Sequence, residues 1–137
     1  MNYIIESILV GIYCCIIYVL FSLFIKNFYI LLLVCGYFKH FFGSSLGIWT
    51  WYCNNGDKCK KVLSQDTYYE ANTLYLIRES SYEALLFLLV GTFLQIVVKC
   101  NNKYMLFFIM GIMLHITGEY SGIHKSFCIN SCDRIIN

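Results

Sequence analysis

Proline is absent from this 137-residue chain, and charged residues make up only 13% of it. Without proline no helix interior is forced to break, so long apolar stretches can run as uninterrupted helices. A soluble domain usually carries about a quarter charged residues, and this chain falls well short of covering itself with solvated groups. Its net charge is only +2, which excludes the basic footprint that nucleic-acid binding needs. A phosphate-binding glycine loop, a zinc-finger spacing, an Asn-x-Ser/Thr sequon and a lipidation motif are all missing. The N-terminus lacks the basic region of a signal peptide, carries Glu6 and stays apolar to Ile25, so it is expected to remain as a membrane span.

What the chain has is apolar bulk: 59% of its residues are hydrophobic, with 12 tyrosines and 11 phenylalanines. Four runs stand out, Tyr3 to Ile25, Phe28 to Ile48, Ala84 to Val98 and Tyr104 to about Ile123. About 20 apolar residues in a helix cross the roughly 30 Å of bilayer hydrocarbon, so four transmembrane helices are predicted. Lys26-Asn27 and Lys99 to Lys103 form tight turns between successive spans. Trp49, Trp51 and Tyr52 mark a membrane–water interface. Residues 56–80 read as a polar loop with an interfacial helix over Ser64 to Ile77, and Ser80-Ser81-Tyr82-Glu83 reads as a capping box opening the third span. Residues 133–137 are a polar tail.

The two halves repeat. Tyr29-x6-Gly36-x3-His40-x2-Gly43-x3-Gly47-Ile48-x4-Cys53-x-Asn55 returns 75 positions later as Tyr104-x6-Gly111-x3-His115-x2-Gly118-x3-Gly122-Ile123-x4-Cys128-x-Asn130, without a gap. Shared lipophilicity can match leucines by accident, but not a series of Gly, His, Gly, Gly and Cys. The first helices align less closely, at an offset of 77 through Glu6 and Glu83 or of 80 through Val10-Gly11 and Val90-Gly91. Residues 1–55 and 81–132 therefore read as tandem two-helix repeats. The expected fold is all-α, an integral membrane four-helix bundle with pseudo-twofold symmetry about the membrane normal. Gly36, Gly43 and Gly47 form one stripe, as do Gly111, Gly118 and Gly122. Their small-x3-small spacing predicts that the second and fourth helices touch, with Gly43 and Gly118 at the crossing and His40 opposite His115.

The blocks Lys39-His40-Phe41-Phe42-Gly43, Gly47-Ile48-x4-Cys53 and Gly122-Ile123-His124-x2-Phe127-Cys128 resemble small multi-span proteins encoded by large nucleocytoplasmic DNA viruses. The resemblance covers most of the chain and carries no assigned activity. It implies a viral membrane setting, such as the membrane inside a virion or a host endomembrane.

Ionisable residues inside membranes are costly and usually face a bundle interior, so His40 and His115 are the first candidates for chemistry. They could ligate haem from two sides, or hold a metal with Glu119 one turn from His115. The competing reading is a pair of neutral histidines hydrogen-bonded as packing glue. Glu6 and Glu83 lie where helix starts favour carboxylates, and a Glu–His polar network is geometrically open to them. Lys39 is expected to snorkel to the interface, and His124 to be a surface or capping group. Cys14, Cys15 and Cys35 read as packing residues. Cys53, Cys59, Cys128 and Cys132 share one side of the membrane, which suggests disulfides. Local pairs Cys53–Cys59 and Cys128–Cys132 are favoured over Cys53–Cys128. A quinone-linked thiol oxidase is disfavoured, since no Cys-x2-Cys pair is present.

The two lysine-bearing turns are placed in the cytoplasm and both termini outside it, although the raw Lys/Arg count opposes this. The expected role is non-enzymatic, a structural or assembly protein of a viral membrane. Expected partners are lipid, other virion or capsid proteins and a second copy, without nucleic acid or cofactor. The alternatives are a haem- or metal-binding redox protein and a small proton-conducting channel.

Overall fold

In the computed structural model residues 2–56, 59 and 73–132 are described. Helices α1 (Tyr3–Ser22) and α2 (Phe28–Ser45) are followed by a short α3 (Ile48–Asn55). After them come α4 (Thr73–Ile96), α5 (Lys103–Ser121), a short α6 (Ile123–Phe127) and a π-helical turn, Cys128–Cys132. No strand occurs among the described residues, so the chain is all-helical there.

Asparagine starts three of the helices. The side chains of Asn2, Asn27 and Asn102 accept hydrogen bonds from Ile4 N (3.1 Å), Tyr29 N and Ile30 N (3.0 and 3.1 Å) and Met105 N (3.2 Å). Each satisfies amide donors that the first helical turn leaves without a partner. Asn27 and Asn102 stand 75 positions apart, so both tight turns use the same device.

The capping box expected at Ser80 does not form. α4 runs unbroken through Ser80 and Glu83 from Thr73, because nothing in that stretch stops a helix that already has its register. The interfacial helix expected over Ser64 to Ile77 lies mostly outside the described residues, and its end belongs to α4; the tail 133–137 lies outside them entirely.

Helix pairing also departs from expectation. α2 packs along α4 and α1 along α5, while the hairpin partners α1–α2 and α4–α5 touch less. α2 and α5, expected to cross at their glycines, share no broad contact. Gly36 instead lets α2 approach α4: a Cβ there would stand 2.8 Å from Ala84 Cα and from the Glu83 carbonyl oxygen. A Cβ at Gly111 would stand 2.9 Å from Gly11 Cα on α1. Small residues do admit a neighbouring helix at Gly36 and Gly111, but the partner is the first long helix of the other half and not its second, and the expected crossing at Gly43 and Gly118 does not form.

Gly47 and Gly122 are not packing residues. Their φ values of 72° and 82° lie in the left-handed region, and a Cβ would meet nothing within 4 Å. Only glycine adopts this conformation without a steric cost. Each glycine ends a long helix and folds the next short one back over it, so that Trp49 covers Gly43 and His124 covers Gly118. The interfacial residues Trp49, Trp51 and Tyr52 therefore lie on a short helix of their own, as does His124 beyond the fourth run.

One apolar core, built on Ile17, Leu32, Phe87, Phe107 and Met110, fills the half of the molecule nearer the tight turns. A second cluster gathers Cys53, Cys59, Phe127, Cys128 and Cys132 at the other end. Many large apolar side chains face outward, among them Ile16 (59% exposed), Phe24 (77%) and Leu89 (67%).

Gly36→Leu is expected to lower stability by about 2–3 kcal/mol, because the added side chain must push backbone away. Leu89→Ala, on an outward face, should cost well under half of that. Denaturant titration of both variants in detergent checks the order, and equal losses would refute the close α2–α4 approach.

Candidate functional site

The site lies between the two cores, where four long helices end and two short ones fold back. It is a cavity of about 270 Å³. Its polar lining comes from every element around it: Glu6 and Tyr13 of α1, Lys39 and His40 of α2, Glu79 and Glu83 of α4, and His115 of α5. Trp49 and Tyr52 of α3, with His124 and Phe127 of α6, close it toward the cysteines.

Two carboxylate–histidine pairs cross between the halves. Glu83 forms an ion pair with Lys39, and its second oxygen stands 3.2 Å from His40 Nδ1. Glu6 Oε2 approaches His115 Nε2 at 3.4 Å, an ion-pair distance longer than a good hydrogen bond. Glu6 and His115 are 2% and 6% exposed, so this is a buried pair. The two pairs differ in one residue: Lys39 is matched 75 positions on by Leu114. One pair thus has a fixed positive charge beside it, whereas Leu114 brings none to the other.

Tyr13 donates to the Lys39 carbonyl at 2.9 Å, tying α1 to α2 beside the first pair. The His40 ring stacks edge-on with Trp49 at 4.2 Å between centroids, and His115 lies 4.5 Å from His124. Trp49 and His124 are 75 apart, as are His40 and His115, so matching residues make matching contacts. His124 Nδ1 also meets Glu119 Oε2 at 3.2 Å. Burial pushes the His124 pKa below its usual value, and the Glu119 carboxylate only partly offsets this. His40 Nε2 is buried without a hydrogen-bond partner.

Several expectations change here. His40 and His115 do not bond to each other; His40 bonds Glu83 of the other half, and His115 Nε2 lies against Glu6 without a hydrogen bond, the contact that the Glu–His alternative allowed. The ligand set His40, His115 and Glu119 is not brought together, because Glu119 turns to His124 and His40 to Glu83. For a haem, the His115 nitrogen that would bind iron already faces Glu6. Among the described residues, the only three or more metal-binding atoms lying within 4.8 Å of one another belong to Cys53, Cys59 and Cys132. Lys39 does not snorkel: its side chain is only 16% exposed and bound to Glu83. Its neighbour, Glu83, acts as an interior counter-ion and not as a helix cap. His124 is no surface group, since α6 folds it over Gly118 and into the cavity. Sequence reasoning missed Trp49, Tyr52 and His124 as cavity walls. The signal was present in the repeat, which sets Trp49 against His124.

The cysteine pairing is also corrected. Cys53 bonds Cys132 and Cys59 bonds Cys128, with Cα–Cα distances of 5.5 and 5.1 Å. Cys53–Cys132 joins the two halves and Cys59–Cys128 ties the segment after α3 to the second, because α3 and the π-helical turn pack against each other. Cys14 and Cys35 are free and fully buried in the apolar core, as packing residues should be.

No protein-family model matches this chain, and no curated protein and no solved structure matches it. α1 and α2 are long and apolar enough to cross a membrane. That is compatible with membrane association and rests on length and composition.

Proposed function

We propose that the chain is a four-span integral membrane protein that binds a small organic cation in its polar cavity, without catalysing a reaction on it. The cavity carries the proposal. Glu6, Glu79 and Glu83 line it against the single ammonium of Lys39, and burial disfavours a charge on His124. An excess of carboxylate flanked by Trp49, Trp51 and Tyr52 is the chemistry that recognises an ammonium group, through charge and aromatic faces together. Ionisable groups held inside a membrane bundle are a costly arrangement for a purely structural protein.

The membrane reading draws on the outward faces. Only 28% of the apolar window of α1 and 33% of that of α2 is buried within the protein, whereas the core helix of a soluble protein would be mostly buried. The exposed Leu85, Leu89 and Phe93 of α4 and Met105 and Met113 of α5 extend the same apolar girdle around the third and fourth spans. A pseudo-twofold axis between the halves accounts for the helix pairing, since it sets the equivalent α2 and α5 on a diagonal and exchanges their partners. The tight turns are assigned to the cytoplasmic side and the cysteine end to the opposite, oxidising side. The packed apolar core below the cavity argues against a continuous polar path, so the proton-channel alternative is not favoured.

The second reading is a structural or assembly protein of a viral membrane, associated with other virion proteins or a second copy. The two bridges that lock the cysteine end to both halves favour it. Tryptophan fluorescence decides between the two. A tetraalkylammonium ion should quench Trp49 and Trp51 saturably in detergent-purified protein, and its neutral tert-alkyl counterpart should not. Glu6→Gln should weaken that binding at least tenfold, or about 1.4 kcal/mol. Quenching that is non-saturable, or equal for the neutral compound, leaves the structural reading standing.

A further inference from the structure

The four bridged cysteines form one cluster, and this is more than two disulfides require. All four are 0–1% exposed. Cys132 Sγ lies 3.6 Å from Cys59 Sγ, to which it is not bonded, and the sulfurs of Cys53, Cys59 and Cys132 all fall within 4.8 Å of one another. A zinc ion bound by four thiolates holds its sulfurs about 3.8 Å apart, from a Zn–S bond of about 2.3 Å in a tetrahedron. The non-bonded contact between the bridges already has the length of such an edge. Two ligands come from α3 and the residue region just after it, and two from the ends of the π-helical turn, so they converge from both halves. Trp49, Tyr52, Phe127 and Ile129 pack around them, which supplies the dry shell that a structural metal site uses.

We propose that the reduced form of this cluster is a zinc site, with Cys53, Cys59, Cys128 and Cys132 as its four ligands. The inference does not rest on the cation-binding reading of the cavity. Each disulfide takes up two electrons and two protons from two molecules of a small thiol such as glutathione, which leave as one external disulfide. The four resulting thiols release four protons as they bind one Zn²⁺, and the Cys128 sulfur, which lies outside the group of three, moves in as the Cys59–Cys128 bond opens to a tetrahedral edge. The same four residues thus lock α3 to the π-helical turn in either redox setting: by metal in a reducing compartment and by two bridges in an oxidising one.

The test uses the full chain in detergent, oxidised or reduced with a phosphine, with Co²⁺ as the spectroscopic probe. The reduced protein should take up one Co²⁺ per chain, with the sulfur-to-cobalt charge-transfer and visible bands of a tetrahedral thiolate site. Zn²⁺ should displace it one for one, and the oxidised protein should take up none. Cys59→Ser and Cys128→Ser should each lower the affinity at least tenfold. Far-UV circular dichroism runs alongside. If reduction loosens the fold, recovery of helicity on adding Zn²⁺ supports the site. Failure to bind in both states, or equal uptake by the Cys59→Ser/Cys128→Ser double variant, overturns it.

Discussion

Replacing Glu83 by alanine should destabilise the protein by about 3–5 kcal/mol, the cost of leaving one member of a buried ion pair without its partner. Glu83 is the counter-ion of Lys39, and both side chains are less than a fifth exposed. The variant strands an ammonium among apolar helices and also takes the carboxylate from His40. The Lys39→Met/Glu83→Gln double variant should recover most of that loss, because it removes the charge together with its counter-charge. The second half already carries Leu114 at the position equivalent to Lys39, so an apolar residue fits this depth. Chemical denaturation of the single and double variants in one detergent gives the coupling. If Glu83→Ala alone stays within about 0.5 kcal/mol of the parent, the pair is no more than a surface interaction.

The second large effect concerns the bridges. Cys59 and Cys128 are separated by 69 positions, but with Cys53–Cys132 in place their bridge closes a ring of only about 12 residues, which removes unfolded-chain entropy worth about 3 kcal/mol. The Cys59→Ser/Cys128→Ser variant should lose stability on that scale under oxidising conditions, while leaving Cys53–Cys132 intact. Connectivity is checked by mass spectrometry without reduction. Trypsin cuts between Cys53 and Cys59 at Lys58, but Cys128 and Cys132 share one peptide. Three peptides should therefore remain linked, and fragmentation between Ile129 and Ser131 should assign Cys128 to Cys59 and Cys132 to Cys53. A Cys128–Cys132 loop within the shared peptide would contradict the fold of this end.

Local features were legible in the residues because they depend on neighbours in the chain. Lys26-Asn27 and Lys99 to Lys103 were read as tight turns, and Asn27 and Asn102 indeed cap the helices that follow. The glycine stripe was read as close packing, which holds for Gly36 and Gly111. Its continuation to Gly47 and Gly122 failed, since spacing cannot distinguish a small residue that admits a neighbour from one that takes a positive φ. The carboxylate–histidine contact was visible as a possibility, from helix starts and helix ends lying on the same side. Its pairing across the halves was not.

Composition, run length and the 75-residue repeat by themselves determined an all-helical chain with paired tight turns, and they singled out Glu6, His40, Glu83, His115 and the four cysteines as the polar residues to explain. Each of these follows from local energetics: apolar runs form helices, asparagine caps them, and ionisable groups in such runs must find partners. Which partner each group finds was decided only by the tertiary structure. α1 lies along α5 and α2 along α4, so Glu6 reaches His115, Glu83 reaches His40, and Cys53 reaches Cys132 across the halves. A repeat makes the two halves alike, and this leaves pairing within a half and pairing between halves equally consistent with the pattern. The choice between them is made by how four helices pack in three dimensions, which no spacing along one chain encodes.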